Sequence, residues 1–503
     1  MQRPDLMHLS STRWDLVVIG GGITGAGILL EAARRGKKTL LLERADYAAG
    51  ASSRSSKMVH GGLRYIAQGD IALTRQSLRE RERLLRELPH MVVELPYLFP
   101  IRRGRFPGRL PMQALLFIYD FLAGRRTQRW LPRKQVLQDY PALSQQGLRG
   151  ALRYGDALTD DARLVQRVLH EARLEGGVTG NYLPVTRIEA HASGFAVHVS
   201  DALHGSGACL QADQVVNATG AWADRLSGSQ AKIRAQRGSH LFVPADKIAL
   251  HDCLTFMHPE DGRPVFAFPW KGAVCIGTTD LDHGPLDEQE ACCSAAEVDY
   301  LLTAINQQWP NLALRAEDLL SSMAGVRPII ASGKGRHPAQ ERRDHAVWRS
   351  ADGVVSVAGG KLTTFRLIAL DVLRTIGFLD SRDHRRAVQQ ACFRHAVADP
   401  HRLSHPLAAP AVGAELREQI GWILQHEQVV HLDDLMLRRL RAGHVMASGG
   451  EELLAEVGAL CRAQLGWDEA RWQKEKTRYQ AIIAEHYAIV DTPARTAARE
   501  ETP

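Results

Sequence analysis

Three glycines, Gly20, Gly22 and Gly25, stand at the G-x-G-x-x-G spacing directly after the β-branched run 16–19. That pattern suits a pyrophosphate. The first glycine allows a tight turn, the second lets the main chain approach the phosphates, and the third lets the following helix pack on the strand. A helix beginning near Ile23 aims its free N–H groups and positive dipole end at the same point. Glu43 closes the next strand about twenty residues on, where an acid accepts hydrogen bonds from a ribose 2′-OH. A 2′-phosphate would be repelled there even with Arg44 adjacent. The stretch is therefore a dinucleotide site.

Further groups with the same use lie far apart. Ser52, Ser53, Ser55, Ser56, Gly61 and Gly62 make a small, hydroxyl-rich loop suited to walling a large cofactor, and the apolar residues set among them argue against a free linker. A buried strand runs out into Ala218, Thr219 and Gly220, and another meets Gly359 and Gly360 before a helix. That late double glycine offers a second helix N-terminus to stabilise negative charge on a reduced ring.

The elements that must carry these groups follow from periodicity. Strands are expected at 16–19, 39–42, 183–188, 195–199 and 213–218, with helices starting at Ile23 and at Asp160 or Asp161. From Gln236 the pattern turns antiparallel, with a hairpin at Trp270-Lys271-Gly272, and Ser294 with Glu297 forms a capping box opening a helix toward Trp309. Residues 71–88 read as a structural amphipathic helix with Ile71, Leu78, Leu85 and Leu88 on one stripe. Beyond about residue 385 the pattern is helical. Residues 101–134 hold nine Arg and Lys against one acid, Asp120, around an apolar core, LLFIYDFLAG. A monotopic membrane contact and a solvated basic face fit that pattern equally well, whereas nucleic acid fits poorly because the aromatics cluster away from the arginines.

A chain of 503 residues with net charge +7 has room for two to four domains and favours acidic partners. Its seven cysteines show no C-x-x-C or Cys/His ligand spacing, so no metal or disulfide framework is expected. No apolar leader opens the sequence, and the apolar tract at 112–123 is too short to span a bilayer. A cytoplasmic protein resting on the inner face of the membrane is expected.

Taken with GGGITGAG from Gly20, the motifs SSKMVHGGLRY, RGSHLFVP and GGKLTTFR make the chain closely resemble the FAD-dependent glycerol-3-phosphate dehydrogenases of the D-amino-acid-oxidase-like flavoproteins. The resemblance covers about residues 12–375, with a weaker trace in HEQVVHLDDLMLRRL and no correspondence for 377–412. It implies an α/β fold: a Rossmann-type FAD-binding domain (12–90, 150–235 and 325–375) interleaved with a mixed β-sheet substrate domain (91–149 and 236–324). A C-terminal α-helical cap (385–490) and a tail (491–503) complete it.

It also implies oxidation of sn-glycerol 3-phosphate to dihydroxyacetone phosphate, with electrons passed to a membrane quinone. A homodimer is one assembly left open. Carried over by position, Arg64, Tyr65, His240, Arg327, Arg343 and Lys361 form the substrate pocket. Arg327 and Arg343 would read the phosphate, with Arg64 sharing that task or facing the glycerol hydroxyls. His240 or Lys361 is the base, a choice left open. The cofactor set is Gly20, Gly22, Gly25, Glu43, Ser52, Ser53, Ser56, Lys57, Val185, Gly220, Gly359, Gly360, Leu362 and Thr363. The competing readings are a sibling flavin oxidase of an amine or other hydroxy acid, and a non-catalytic flavin-binding membrane-associated protein.

Overall fold

The computed structural model describes residues 3–67, 69–227, 232–284, 286, 291–331, 344–397, 400 and 402–489. The expected tail 491–503 lies outside them. Two sheets organise the chain. In the first, among the described residues, Thr39–Leu42, Arg13–Ile19, Gly207–Asn217 and Val355–Gly359 lie side by side and parallel. Val178–Gly180 joins beyond Thr39–Leu42, and His345–Arg349 closes the other edge antiparallel. Helix Ile23–Ala33 covers one face of this sheet, and all its residues except Thr24 are buried, as a helix sandwiched between two others requires. Gly27 makes that possible, because a Cβ there would stand 2.8 Å from the Phe365 ring of helix Phe365–Thr375.

The second sheet is mixed and mostly antiparallel. Its spine is Ile233–Pro244, Ala273–Gly277, Pro264–Trp270, Cys253–Met257, Val92–Arg102 and Leu148–Thr159. It also draws in Met58–Val59 and Ser321–Ile330, so the chain crosses between the sheets more often than the expected boundaries at 90, 150 and 325 imply. The hairpin turns at Lys271 and Gly272, both with positive φ (50° and 78°), which closes a two-residue loop between twisted strands. Ser294 and Glu297 form the reciprocal capping box at the head of helix Ala295–Gln308.

Helix Ile71–Glu87 departs from the expected stripe. Ile71 is exposed, and the inward face is Thr74, Ser77, Leu78, Arg81 and Leu84. Polar side chains hold that face because their partners come from distant segments. The C-terminal helices Gly413–His426, Leu454–Leu465 and Glu469–Ile482 pack Leu416, Ile420, Val457 and Tyr479 into one core with Phe242 and Trp270 of the second sheet. Each fully buried leucine there contributes roughly 2 kcal/mol.

Candidate active site

The carboxyl ends of strands Arg13–Ile19 and Gly207–Asn217, with Ile19 opposite Asn217, open into a cavity of about 620 Å³. Gly20 leaves its strand at φ +113°, and a Cβ there would stand 2.6 Å from the Ala218 carbonyl oxygen. A Cβ on Gly25 would stand 1.9 Å from the Gly20 carbonyl oxygen. The turn therefore closes only with glycine at both places. The Ile23 N–H, at the helix mouth, donates to Ser52 Oγ at 3.0 Å. Glu43 accepts from Gly21 N at 2.6 Å and Ala45 N at 2.9 Å. Burial pushes its carboxyl above the usual range, against the pull of those two donors.

The cavity runs from this turn, past Val185 and Gly220, to Gly359, Gly360, Leu362 and Thr363 at the second helix mouth. Ser52, Arg54, Ser55 and Ser56 contribute to its wall. His60, Tyr65, Arg327 and Lys361 also line it. Lys361 Nζ lies 3.7 Å from the Tyr65 ring centroid and donates to Ser77 Oγ at 2.9 Å. Arg327 donates from Nη1 to Asp280 at 3.0 Å and from Nη2 to Thr278 Oγ1 at 2.8 Å. Asp280 also pairs with Arg263 at 2.9 Å, so two guanidinium groups share one carboxylate and the trio keeps a positive charge.

A family model described as FAD dependent oxidoreductase matches residues 15–366, and one described as the C-terminal domain of alpha-glycerophosphate oxidase matches residues 396–472. The glycerol-3-phosphate dehydrogenase 2 of Mycobacterium tuberculosis is 33% identical over 529 aligned residues, spanning 95% of this chain and 89% of that protein. The aerobic glycerol-3-phosphate dehydrogenase of Staphylococcus aureus is 36% identical over 392 residues, 75% of this chain and 69% of its own. The crystal structure of the Bacillus halodurans glycerol-3-phosphate dehydrogenase with FAD superimposes with a TM-score of 0.70 at 27% identity, covering 95% of both chains.

The chain belongs to the FAD-dependent glycerol-3-phosphate dehydrogenase family. Its cofactor is FAD, and the cavity fits it: a glycine turn with no room for side chains at the phosphates, two helix mouths, and the Trp222 Nε1 donor without a protein partner on the wall. The second match begins at residue 396, inside the stretch 377–412 where the sequence offered no correspondence.

Not every expected site residue of this family member reaches the cavity. Gly25 lies in the helix behind the turn, where it permits packing against Gly20. Ser53 is buried, and its carbonyl accepts from Lys57 Nζ at 2.6 Å and Arg441 Nη2 at 2.8 Å. Lys57 points away from the cavity to Asp161, 2.9 Å off, because an ammonium in this interior needs a carboxylate. Arg64 sits in the short helix Leu63–Ala67, and Arg343 lies outside the described residues. Sequence reasoning passed over His60 and Arg54, although both stand within motifs that it singled out.

His240 is fully buried, one layer behind the wall, with Nε2 2.9 Å from Ser56 Oγ and Nδ1 without a protein partner. Burial first, and then Arg327 and Lys57, hold its pKa well below the ordinary value. His444 is likewise held low, chiefly by burial. Below about pH 6.5 the unfolded chain therefore binds protons that the folded chain does not, so stability falls as pH drops from about 6.5 toward the lower folded values. Melting temperatures recorded from pH 7 to pH 5 should decline, and His240→Asn should flatten that decline. An identical slope in the variant would remove His240 from the account.

Proposed function

We propose that this chain oxidises the secondary hydroxyl of sn-glycerol 3-phosphate to dihydroxyacetone phosphate and delivers the two electrons to a membrane quinone. The carrying observation is that one cavity is lined both by the dinucleotide turn and by Arg327, Lys361, Tyr65 and His60. When bound, FAD accepts the hydride and stores both electrons. The planar fork of Arg327, fixed in orientation by Asp280 and Thr278, suits a phosphate dianion, with Arg343 as the second phosphate reader and Arg64 sharing that task or facing the glycerol hydroxyls. The hydroxyl proton needs an acceptor in the same cavity. Lys361, which accepts a proton only as the neutral amine, and His60 line the cavity directly, whereas His240 reaches it only through Ser56 and is costly to charge. The order of candidates is therefore Lys361 or His60 before His240.

The test is the visible absorbance of the purified protein under anaerobic conditions. The flavin spectrum should bleach with sn-glycerol 3-phosphate and stay unchanged with glycerol or an amino acid, and a water-soluble quinone should restore it faster than oxygen. Bleaching by an amino acid alone would transfer the chain to the amine-oxidising siblings.

The proposal places the protein peripherally on an anionic membrane. No helix among the described residues is long and apolar enough to cross one. Helix Arg109–Ala123 instead turns Leu110, Phe117 and Phe121 outward, 77%, 64% and 78% exposed, with Phe106 just before it at 82%. Exposed Arg103, Arg105, Arg109, Arg126 and Arg129 surround this stripe. An apolar stripe with a basic rim suits the boundary between acyl chains and anionic headgroups. The protein should sediment with anionic vesicles and be released by salt. Removing two phenylalanine rings that the membrane would bury, at about 1.5–3 kcal/mol each, should weaken this binding at least tenfold in F117S/F121S. Equal sedimentation of the variant would dismiss the apolar contact.

A further inference from the structure

Two helices that line no part of the cavity nevertheless hold residues at its wall. Residues 60–62 form an irregular link that carries His60 into the cavity wall and leads directly into the helix of Tyr65. The Gly61 N–H at the centre of this link donates to the hydroxyl of Tyr119, at 2.9 Å, from the inner face of helix Arg109–Ala123. Tyr119 is fully buried and in turn donates to Asp156 Oδ2 at 2.7 Å. Arg81, from helix Ile71–Glu87, donates to Asp156 Oδ1 at 2.8 Å and to the Gly155 carbonyl at 3.2 Å. Gly61 itself is wedged against Leu78 and the Tyr119 hydroxyl, 2.4 Å and 2.6 Å from the position of a Cβ.

One helical turn before Arg81, the buried Ser77 presents its hydroxyl to Lys361 Nζ at 2.9 Å. Neither hydroxyl lines the cavity. Yet one fixes the main chain that aims His60 and Tyr65, and the other fixes the ammonium of Lys361 above the Tyr65 ring, 3.7 Å from its centroid. The inward stripe of Ile71–Glu87 is polar at these two positions for this reason. Reaction rates fall steeply when a reacting group shifts by an ångström, so groups that fix position at second hand carry catalytic consequences.

We infer that Tyr119 and Ser77 are positioning residues, which set the geometry of the link at 60–62 and of Lys361 from outside the cavity. The inference rests on the proposed oxidation of sn-glycerol 3-phosphate. Y119F keeps the ring and removes the hydroxyl from between Gly61 and Asp156. S77A removes a single buried oxygen and guards against a folding failure in the first variant. T74V is the control, because Thr74 lies on the same buried face but its hydroxyl bonds only to its own helix, at the Asp70 carbonyl, 3.0 Å away.

The experiment measures FAD content, melting temperature and the anaerobic rate of flavin reduction against sn-glycerol 3-phosphate concentration in all four proteins. Y119F and S77A should load FAD fully and lose about tenfold or more in the limiting reduction rate or in its half-saturation concentration, while T74V matches the wild type in both. Y119F and S77A that lower the melting temperature but reduce flavin like T74V would make both hydroxyls merely structural and overturn the inference. Failure of the wild type to reduce its flavin with this substrate would instead overturn the proposed function, and the two failures are read in different proteins.

Discussion

Replacing Arg327 by alanine should raise the KM for sn-glycerol 3-phosphate about 30- to 100-fold at unchanged FAD content. The figure follows from losing a charge-assisted, two-point contact, worth roughly 2–3 kcal/mol. Asp280 limits the collateral damage. It keeps Arg263 at 2.9 Å, so the variant leaves no unpaired buried carboxylate to disturb the fold. Arg327→Lys should fall between, because an ammonium keeps the charge but cannot reach Asp280, Thr278 and a phosphate with one planar fork. Steady-state kinetics with a soluble acceptor give the answer, and the comparison with glycerol sharpens it. Glycerol, with no phosphate to read, should leave the flavin of R327A and of the wild type equally unreduced. An unchanged KM for the phosphorylated substrate would falsify the phosphate role.

Local chemistry made much of this molecule legible in its sequence. The glycine turn, Glu43, the capping box of Ser294 and Glu297, and the hairpin at Lys271 and Gly272 each follow from contacts within a few residues or from the geometry of one turn. What stayed hidden depends on partners far along the chain. Lys57 sits among cavity-lining serines, yet its ammonium is drawn backwards by Asp161, 104 residues away. His240 belongs to a substrate-domain motif, but its strand sets it behind Ser56 instead of beside it. Ser77 and Arg81 spoil the amphipathic reading of their helix, because Lys361 and Asp156 make a buried polar face stable. Sequence spacing carries no record of such pairings.

The same kind of long-range pairing underlies the largest expected loss of stability. Asp46, fully buried just beyond Glu43, accepts from Arg438 Nε at 2.5 Å and from Arg439 Nη1 and Nη2 at 2.6 and 2.7 Å, tying the helical C-terminal region to the FAD-binding region. Burial opposes its charge, but Arg439 and Arg438 hold its pKa below the ordinary value. Asp46→Ala strands cationic charge in the interior and should cost about 3–5 kcal/mol. Asp434, beside the same arginines, sets how that cost varies with pH. Burial, Asp46 and Asp433 push its pKa up to about 6, so its own contribution is favourable below about 4 and is lost as pH rises through 6. Removing Asp46 takes away a like charge and relieves that penalty, most fully at pH 7. The cost of Asp46→Ala, read from denaturant midpoints, should therefore be larger at pH 5 than at pH 7, and a cost that shrinks on acidification would contradict the coupling. Flavin retention should suffer as well, because Arg441, two residues beyond Arg439, holds the Ser53 carbonyl at 2.8 Å, and Tyr487 of the same region meets Arg54 Nε at 3.2 Å on the cavity wall. Gel filtration of D46A at low concentration should then strip FAD that the wild type keeps.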